Sequence, residues 1–265
     1  MQEDFERLKE DAPRRMAGMK ILRELFDPHR RNCKAKTGWS FNEILLDPAQ
    51  KDKLVQKACQ IKKRTELRPN DLWETYQLYH GSINHFLPSV ALTVLDTIRP
   101  KRVLDFCAGW GGRALACGAR GIDYLGIDSN EDLFPQYAIL KEKYLTPNSH
   151  FINAYAESVN YDGLIYDCVL TSPPFYYKET YPFMKDYKDF DQEFTEPIIK
   201  KVWAGLSVKG WMWLNIPEKM LEKVESMIGK CHKKIKFNYT RRIANMENSD
   251  FLFGWLKSEG VTDAS

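Results

Sequence analysis

The 265-residue sequence has no apolar run long enough to cross a membrane. Its first residues, MQEDFERLKEDAPRR, are too charged for a signal peptide. The six cysteines are scattered, and none stands in a C-x-x-C pair, so the sequence indicates neither a zinc site nor a disulfide framework. We therefore expect a soluble intracellular protein with reduced thiols and no metal.

Internal repeats and low-complexity tracts are also missing, and the formal net charge is only +3. With 43% hydrophobic residues, the chain can bury a substantial core. We predict a basic helical extension over residues 1–70, with helical stretches at 3–26 and 48–64, and one larger domain over residues 71–260.

A glycine-rich turn follows an apolar run in VLDFCAGWGGR, residues 103–113. Asp105 stands where a buried strand should end, and the glycines allow a tight turn into a helix. This acid would repel a pyrophosphate but can pair with an ammonium group. A second strand, YLGID, ends in Asp128, a placement typical of an acid that binds ribose hydroxyls. The two acids predict an adenosine cofactor that carries an amino acid and no phosphate.

A second apolar run ends in Thr171-Ser172-Pro173-Pro174-Phe175. Open α/β sheets bind ligands at the carboxyl ends of their strands. Consecutive prolines fix the backbone and lack N–H donors, so this loop offers rigid carbonyls and a hydroxyl, which are acceptors suited to an NH₂ group. The aromatic residues at 175–177 offer faces for stacking on an extruded base. The alternative is a proline-stiffened loop whose aromatic residue only anchors it to the core.

The first segment resembles motif I of the class I S-adenosylmethionine-dependent methyltransferases, and Ser-Pro-Pro-Phe resembles motif IV of the DNA amino-methyltransferases. The resemblance implies that Asp105 lies near the methionine amino group and Asp128 on the ribose. It also implies a catalytic loop in which Ser172 and the Pro173 carbonyl hold the amine hydrogens, Pro174 follows, and Phe175 stacks on the base.

A third segment, GSINHFLPSVA at residues 81–91, resembles motif X of the same family, which closes over the methionine end of the cofactor. The resemblance implies cofactor contacts from Asn84 and Phe86 and a γ-type motif order. The alternative is a helix start whose apolar residues belong to the core. The remaining candidates for cofactor contact, chosen by position, are Cys107, Ala108, Gly109, Gly111, Asn153, Ala154 and Thr171.

Strands and helices alternate between residues 102 and 230, which predicts a mostly parallel α/β sheet covered on both faces. HFINA at 150–154 is the expected third strand, and GWMWLNI at 210–216 is the fifth. KKIKFNY and DFLFGWL resemble the antiparallel hairpin that ends a Rossmann-like class I methyltransferase sheet.

Basic residues are concentrated in two stretches. Residues 28–68 hold eleven Lys or Arg and four Asp or Glu, and residues 230–242 hold six basic residues and no acid. Such stretches, interleaved with aromatic residues, predict contacts with nucleic-acid phosphates, with a merely solvated face as the alternative. The acidic stretch at 178–196 is an alternative surface for a protein partner, and we expect any sequence recognition to come from the extension or from the loops at 176–196 and 240–249.

The sequence therefore favours an enzyme that moves a methyl group from S-adenosylmethionine to an exocyclic amine of a nucleic-acid base. Cytosine-N4 in DNA is the preferred target, because serine begins motif IV more often in cytosine-N4 enzymes. Adenine-N6 in DNA or RNA is the second choice, and a non-catalytic nucleic-acid-binding scaffold with the same fold is the alternative. A cytosine-C5 enzyme is excluded because the chain has no Pro-Cys dipeptide.

Overall fold

The structure is a computed structural model that describes residues 1–34, 37–68, 70–81, 83–174, 185–237 and 250–259. Within these residues, seven strands form one sheet in the order β3-β2-β1-β4-β5-β7-β6. The strands are β1 (Arg102–Asp105), β2 (Asp123–Asp128), β3 (His150–Asn153), β4 (Cys168–Thr171), β5 (Trp211–Asn215), β6 (Lys233–Phe237) and β7 (Asp250–Leu256).

Strands β1 to β5 pair in parallel, whereas β7 runs antiparallel to both β5 and β6. Strands β2 and β3 are added on one side of β1, and β4 and β5 on the other side. Such a switch between β1 and β4 leaves a crevice at the carboxyl ends of these strands. The structure confirms the predicted fold class, a mostly parallel Rossmann-like sheet with a C-terminal antiparallel hairpin.

The described residues form ten α-helices. They are α1 (Gln2–Lys9), α2 (Met19–Arg30), α3 (Phe41–Leu46), α4 (Pro48–Lys62), α5 (Asp71–Tyr79), α6 (Pro88–Ile98), α7 (Gly112–Ala119), α8 (Phe134–Tyr144), α9 (Glu196–Gly205) and α10 (Leu221–Ile228). The helical stretch predicted over residues 3–26 is wrong in its middle. Pro13 lacks an N–H donor, and Gly18 adopts a left-handed conformation with φ of 79°, so the chain breaks between α1 and α2.

Hydrophobic residues cover both faces of the sheet. Along β4, Cys168 and Leu170 join one cluster and Val169 joins the other, as the two-residue period of a strand requires. The first cluster also contains Phe5 of α1 and Phe26 of α2. The predicted boundary at residue 70 stays a prediction, and this core crosses it.

A separate, smaller cluster joins helices α3, α4 and α5. Its buried residues are Phe41, Ile44, Leu54, Trp73 and Tyr76. A capping box between Ser40 and Glu43 begins α3, and the Asp47 side chain caps α4 ahead of Pro48. Among the described residues, none of the helices is long and apolar enough to span a bilayer.

Candidate active site

The glycine-rich turn between β1 and α7 depends on three glycines. Gly109 and Gly111 adopt positive φ values of 55° and 69°, which the turn requires. Gly112 has another role, because a Cβ atom placed there would lie 2.0 Å from the Phe86 carbonyl oxygen. The turn is therefore in direct contact with the segment that we identified upstream at residues 81–91.

Asp128, at the end of β2, is hydrogen-bonded to this turn. Its Oδ2 accepts from the Gly109 N–H at 2.7 Å, and its Oδ1 accepts from the Asn130 N–H at 3.0 Å. Burial raises the pKa of Asp128 above its ordinary value, and the two backbone N–H groups oppose that effect. The Tyr137 hydroxyl also interacts with this carboxylate. A carboxylate has about four acceptor positions, so at least one stays available for a ligand hydroxyl.

Asp105, in contrast, is fully buried at the end of β1, and its acceptor positions are filled. Oδ2 accepts from Arg113 Nε and from the Tyr124 hydroxyl, both at 2.6 Å, and Oδ1 accepts from Arg113 Nη2 and the Cys107 N–H, both at 3.2 Å. These hydrogen bonds tie Asp105 to the turn and fill its acceptor positions within the chain. Its contact with the methionine amino group stays a prediction.

Arg113 is a residue that the sequence analysis missed. It lies in the first turn of α7, is 4% exposed, and also donates from Nη2 to the Cys107 carbonyl. Burial lowers its pKa, but Asp105 and, to a smaller extent, Tyr124 and Cys107 together raise it overall. The signal was present in the sequence, because an arginine directly after Gly-Gly in an otherwise apolar helix needs a buried acid as partner.

Helix α2 of the extension holds the segment at residues 83–87 against the turn. Arg30 donates from Nε and Nη2 to the Ile83 carbonyl at 3.1 and 2.7 Å, and Asp27 pairs with Arg30 and with His85 Nε2, the latter at 2.8 Å. Burial lowers the pKa of His85 to about 4, which keeps it neutral at pH 7. No local pattern in the sequence indicates these long-range contacts.

Asn84 and Phe86, which the resemblance to motif X assigns to the cofactor, have different surroundings. Phe86 is buried, with the Arg113 guanidinium 4.9 Å from its ring centre, whereas Asn84 is exposed. The contacts of both residues with a cofactor stay predictions.

The ends of β2 and β3 lie side by side. Asp128 pairs in register with Asn153, and the Ala154 N–H donates to the Asp128 carbonyl at 3.1 Å. Asn153 is exposed and Ala154 is half-buried. The residues predicted to meet the ribose and the adenine are thus neighbours, although the ligand contacts themselves stay predictions.

The loop after β4 begins at the same sheet edge, because β4 pairs with β1 through Leu104 and Val169. Ser172 donates from Oγ to Asn215 Oδ1 at 2.9 Å, a partner that the sequence analysis missed. Thr171 Oγ1 is buried and has no hydrogen-bond partner within the described chain. Pro173 is buried and Pro174 half-buried.

Part of the predicted site lies outside the described residues. This holds for Phe175, Tyr176 and Tyr177, for the stretch at 178–184 and for the loop at 240–249. In the described half of the acidic stretch, Asp191 and Glu196 pair with Lys223 at 2.9 and 3.3 Å.

The two thiols near the site, Cys107 and Cys168, have raised pKa values. Burial raises the pKa of both Cys107 and Cys168 well above the ordinary value, which keeps these sulfurs protonated at neutral pH. The remaining candidates in the turn are the buried Ala108 and Gly111, which approach a ligand only with backbone or methyl groups.

The basic stretch at 28–68 is partly neutralised within the protein. Lys62 pairs with Glu74 and Asp71, and Arg64 pairs with Asp71. By contrast, Lys51 and Lys53 on α4 are exposed. Lys62 and Arg64 are therefore engaged within the protein, whereas Lys51, Lys53 and Lys63 are exposed and can meet phosphate.

The strand order and the turn between β1 and α7 define the Rossmann-like methyltransferase fold. No protein-family model and no curated protein matches the sequence. Among solved structures, TrmN from Thermus thermophilus is similar, with a TM-score of 0.51 and 17% identity over 67% of this chain and 50% of that chain. The N-methyltransferase NodS from Bradyrhizobium japonicum WM9 has a TM-score of 0.51 and 9% identity over 65% of this chain and 94% of that chain. These similarities show a shared fold, and the chain spans half the length of TrmN.

Proposed function

We propose that this protein transfers a methyl group from S-adenosylmethionine to an exocyclic amine of a nucleic-acid base, with cytosine-N4 in DNA as the first candidate. One observation carries the proposal. The glycine-rich turn with Asp128 and the Ser172-Pro173-Pro174 loop come from distant parts of the chain, yet they lie at the carboxyl ends of neighbouring strands of one sheet. A methyl donor and an acceptor amine need such an adjacency.

The residues at the turn fit this cofactor. Asp128 keeps at least one acceptor position for a ribose hydroxyl, and Gly109 permits a ligand to lie against bare backbone. Thr171 Oγ1 is a buried polar atom without a partner in the described chain, at the end of β4 directly before the loop. Such an atom costs free energy unless a ligand or water satisfies it. When bound, the cofactor supplies an electrophilic methyl group.

The loop after β4 fits an amine. The Ser172 hydroxyl oxygen and the Pro173 carbonyl are acceptors, and two acceptors can hold the two hydrogens of an NH₂ group. Holding both hydrogens fixes the direction of the nitrogen lone pair, so this loop orients the nucleophile toward the methyl group. Transfer would form an N–C bond as the S–C bond of the sulfonium breaks, release the thioether product, and return one amine proton through these acceptors to water. No covalent bond to the protein is required.

A nucleic-acid substrate is supported by charge. Lys51 and Lys53 are exposed on α4, and Lys57 lies half-buried with its ammonium 4.3 Å from the Tyr79 ring centre. An aromatic ring beside basic side chains is an arrangement suited to bases and phosphates. Adenine-N6 is the second candidate target, on DNA or RNA.

Titration calorimetry with S-adenosylmethionine tests the cofactor assignment. Asp128→Ala should raise the dissociation constant at least tenfold, because each charge-assisted hydrogen bond to a ribose hydroxyl contributes roughly 1.5 to 3 kcal/mol. The matched control is Asp123→Ala, at the opposite end of β2, which should leave the dissociation constant unchanged. Equal affinities of wild type and Asp128→Ala would contradict the assignment.

Methyl transfer itself is tested with tritiated cofactor and a mixture of DNA and RNA. We expect the wild-type protein to label the nucleic acid. Ser172→Ala should transfer the label at no more than about a hundredth of the wild-type rate. A wild-type protein that binds the cofactor and both nucleic acids but transfers no label would support the scaffold alternative.

A further inference from the structure

Asn215 is the last residue of β5, is 1% exposed, and faces the loop that follows β4. Its Nδ2 donates to the carbonyl of Phe251 on β7 at 2.9 Å. A carbonyl can only accept, so the amide nitrogen must lie on that side and the amide oxygen on the other. The strand pairing between β5 and β7 therefore fixes which way the Asn215 amide is oriented.

The fixed amide determines how the Ser172 hydroxyl is oriented. Asn215 Oδ1 lies 2.9 Å from Ser172 Oγ, and since Oδ1 has no proton, the hydroxyl must donate. A hydroxyl has one donor proton and two acceptor lone pairs. With its proton committed to Asn215, the half-buried Ser172 oxygen offers only lone pairs to a substrate.

We propose that Asn215 is a positioning residue that makes Ser172 an obligate acceptor and so selects bases with an NH₂ group over bases with a carbonyl oxygen at that place. The inference deepens the proposed function and rests on it. A free serine hydroxyl can rotate to donate to a carbonyl or accept from an amine. The hydrogen bonds from Ser172 to Asn215 and from Asn215 to Phe251 prevent the hydroxyl from donating to a carbonyl. The carbonyl oxygen of a keto base would therefore face the oxygens of Ser172 and Pro173 with no hydrogen to bridge them.

The Ser172–Asn215 bond can be tested without turnover, by a double-mutant cycle on urea unfolding. Ser172→Ala, Asn215→Ala and the double variant should show coupling, with the unfolding equilibrium constant of the double variant differing from the product of the single effects by a factor of roughly two to ten. The matched control pairs Asn215→Ala with Ser207→Ala and should show no coupling. The Ser207 hydroxyl donates to the Tyr166 carbonyl at 2.8 Å, outside the site. Zero coupling between Ser172 and Asn215 would overturn the inference.

Selection is tested by single-turnover methyl transfer to oligonucleotides that contain cytosine, with inhibition by matched oligonucleotides in which uracil replaces cytosine. Asn215→Ala should transfer roughly tenfold more slowly, bind the cofactor with unchanged affinity, and accept the uracil competitor several-fold better than wild type. Asn215→Asp keeps an acceptor for Ser172 and should retain the rejection of uracil. In the Ser172→Ala background, Asn215→Ala should add no further loss of rate, because it acts through Ser172.

The outcomes are distinguishable. Wild-type rate and wild-type rejection of uracil in Asn215→Ala would overturn the inference while the proposed function stands. Losses that multiply in the double variant would also overturn it, because they would show that Asn215 acts by a separate route. A wild-type protein that methylates no base would overturn the proposed function and, with it, the selection.

Discussion

At the scale of single residues, the buried pair of Asp105 and Arg113 is hydrogen-bonded to the turn between β1 and α7 through the N–H and the carbonyl of Cys107. Arg113→Ala leaves a fully buried carboxylate without its cation, so we expect a loss of about 3–5 kcal/mol in the free energy of unfolding. Urea denaturation measures this loss. Arg23→Ala, on the exposed side of α2, is the control and should change stability by about 0.5 kcal/mol or less. A loss below about 1 kcal/mol for Arg113→Ala would show that the pair is dispensable.

Asp128 should give cofactor binding a pH dependence. Its pKa is raised by burial, and only the ionised carboxylate makes charge-assisted bonds with ribose hydroxyls. Affinity for S-adenosylmethionine should therefore be full above this raised pKa and should fall as the pH drops through it, at a higher pH than an ordinary aspartate would produce. Calorimetry across the acidic range measures the profile. The same fall in Asp128→Asn, which has no carboxylate there, would assign the effect to another group.

At the scale of secondary structure elements, the contact between the segment at 83–87 and α7 connects the extension to the site. A Cβ atom at Gly112 would meet the Phe86 carbonyl at 2.0 Å, so Gly112→Ala must displace one of the two backbones. We expect lower stability and at least a tenfold loss of cofactor affinity, measured by calorimetry on the folded fraction.

Gly118→Ala is a matched control for Gly112→Ala. It is on the same helix, and its Cβ would meet the Tyr144 carbonyl at 2.1 Å, away from the turn. It should destabilise the protein similarly and leave the cofactor affinity of the folded protein intact. Equal affinity losses in the two variants would mean that the contact with Phe86 has no special effect on the turn.

Local features of this fold were predictable from the sequence, whereas long-range contacts were not. Strand positions, the glycine turn and Asp128 could be predicted because period, turn residues and strand ends are local signals. The partners of the site residues could not. Ser172 and Asn215 lie 43 positions apart, and Arg30 and Ile83 lie 53 apart, so their contacts depend on the packed arrangement of the strands and helices. Asp105 was assigned to the ligand without its partner Arg113, although that pair lies only 8 positions apart and the arginine after Gly-Gly was a usable signal.

At the scale of the whole molecule, the distribution of charge predicts where nucleic acid binds. Lys51→Ala combined with Lys53→Ala should weaken DNA binding and flatten its salt dependence, by a slope of about 0.9 for each phosphate of duplex DNA that these lysines neutralise. Fluorescence anisotropy at several salt concentrations measures both quantities. Lys62→Ala should mainly destabilise the fold, because Lys62 pairs with Glu74 and with the buried Asp71. An unchanged salt slope in the double variant would exclude α4 from the interface.

The central claim concerns where the methyl group goes. Wild-type protein is incubated with DNA and RNA and with cofactor carrying a deuterated methyl group, and the nucleic acid is digested to nucleosides for mass spectrometry. The account predicts a deuterated methyl group on an exocyclic nitrogen, first N4 of cytosine and otherwise N6 of adenine, that forms at no more than about a hundredth of the wild-type rate with Ser172→Ala. Label on a ring carbon or a ribose oxygen, or no labelled nucleoside, would contradict it.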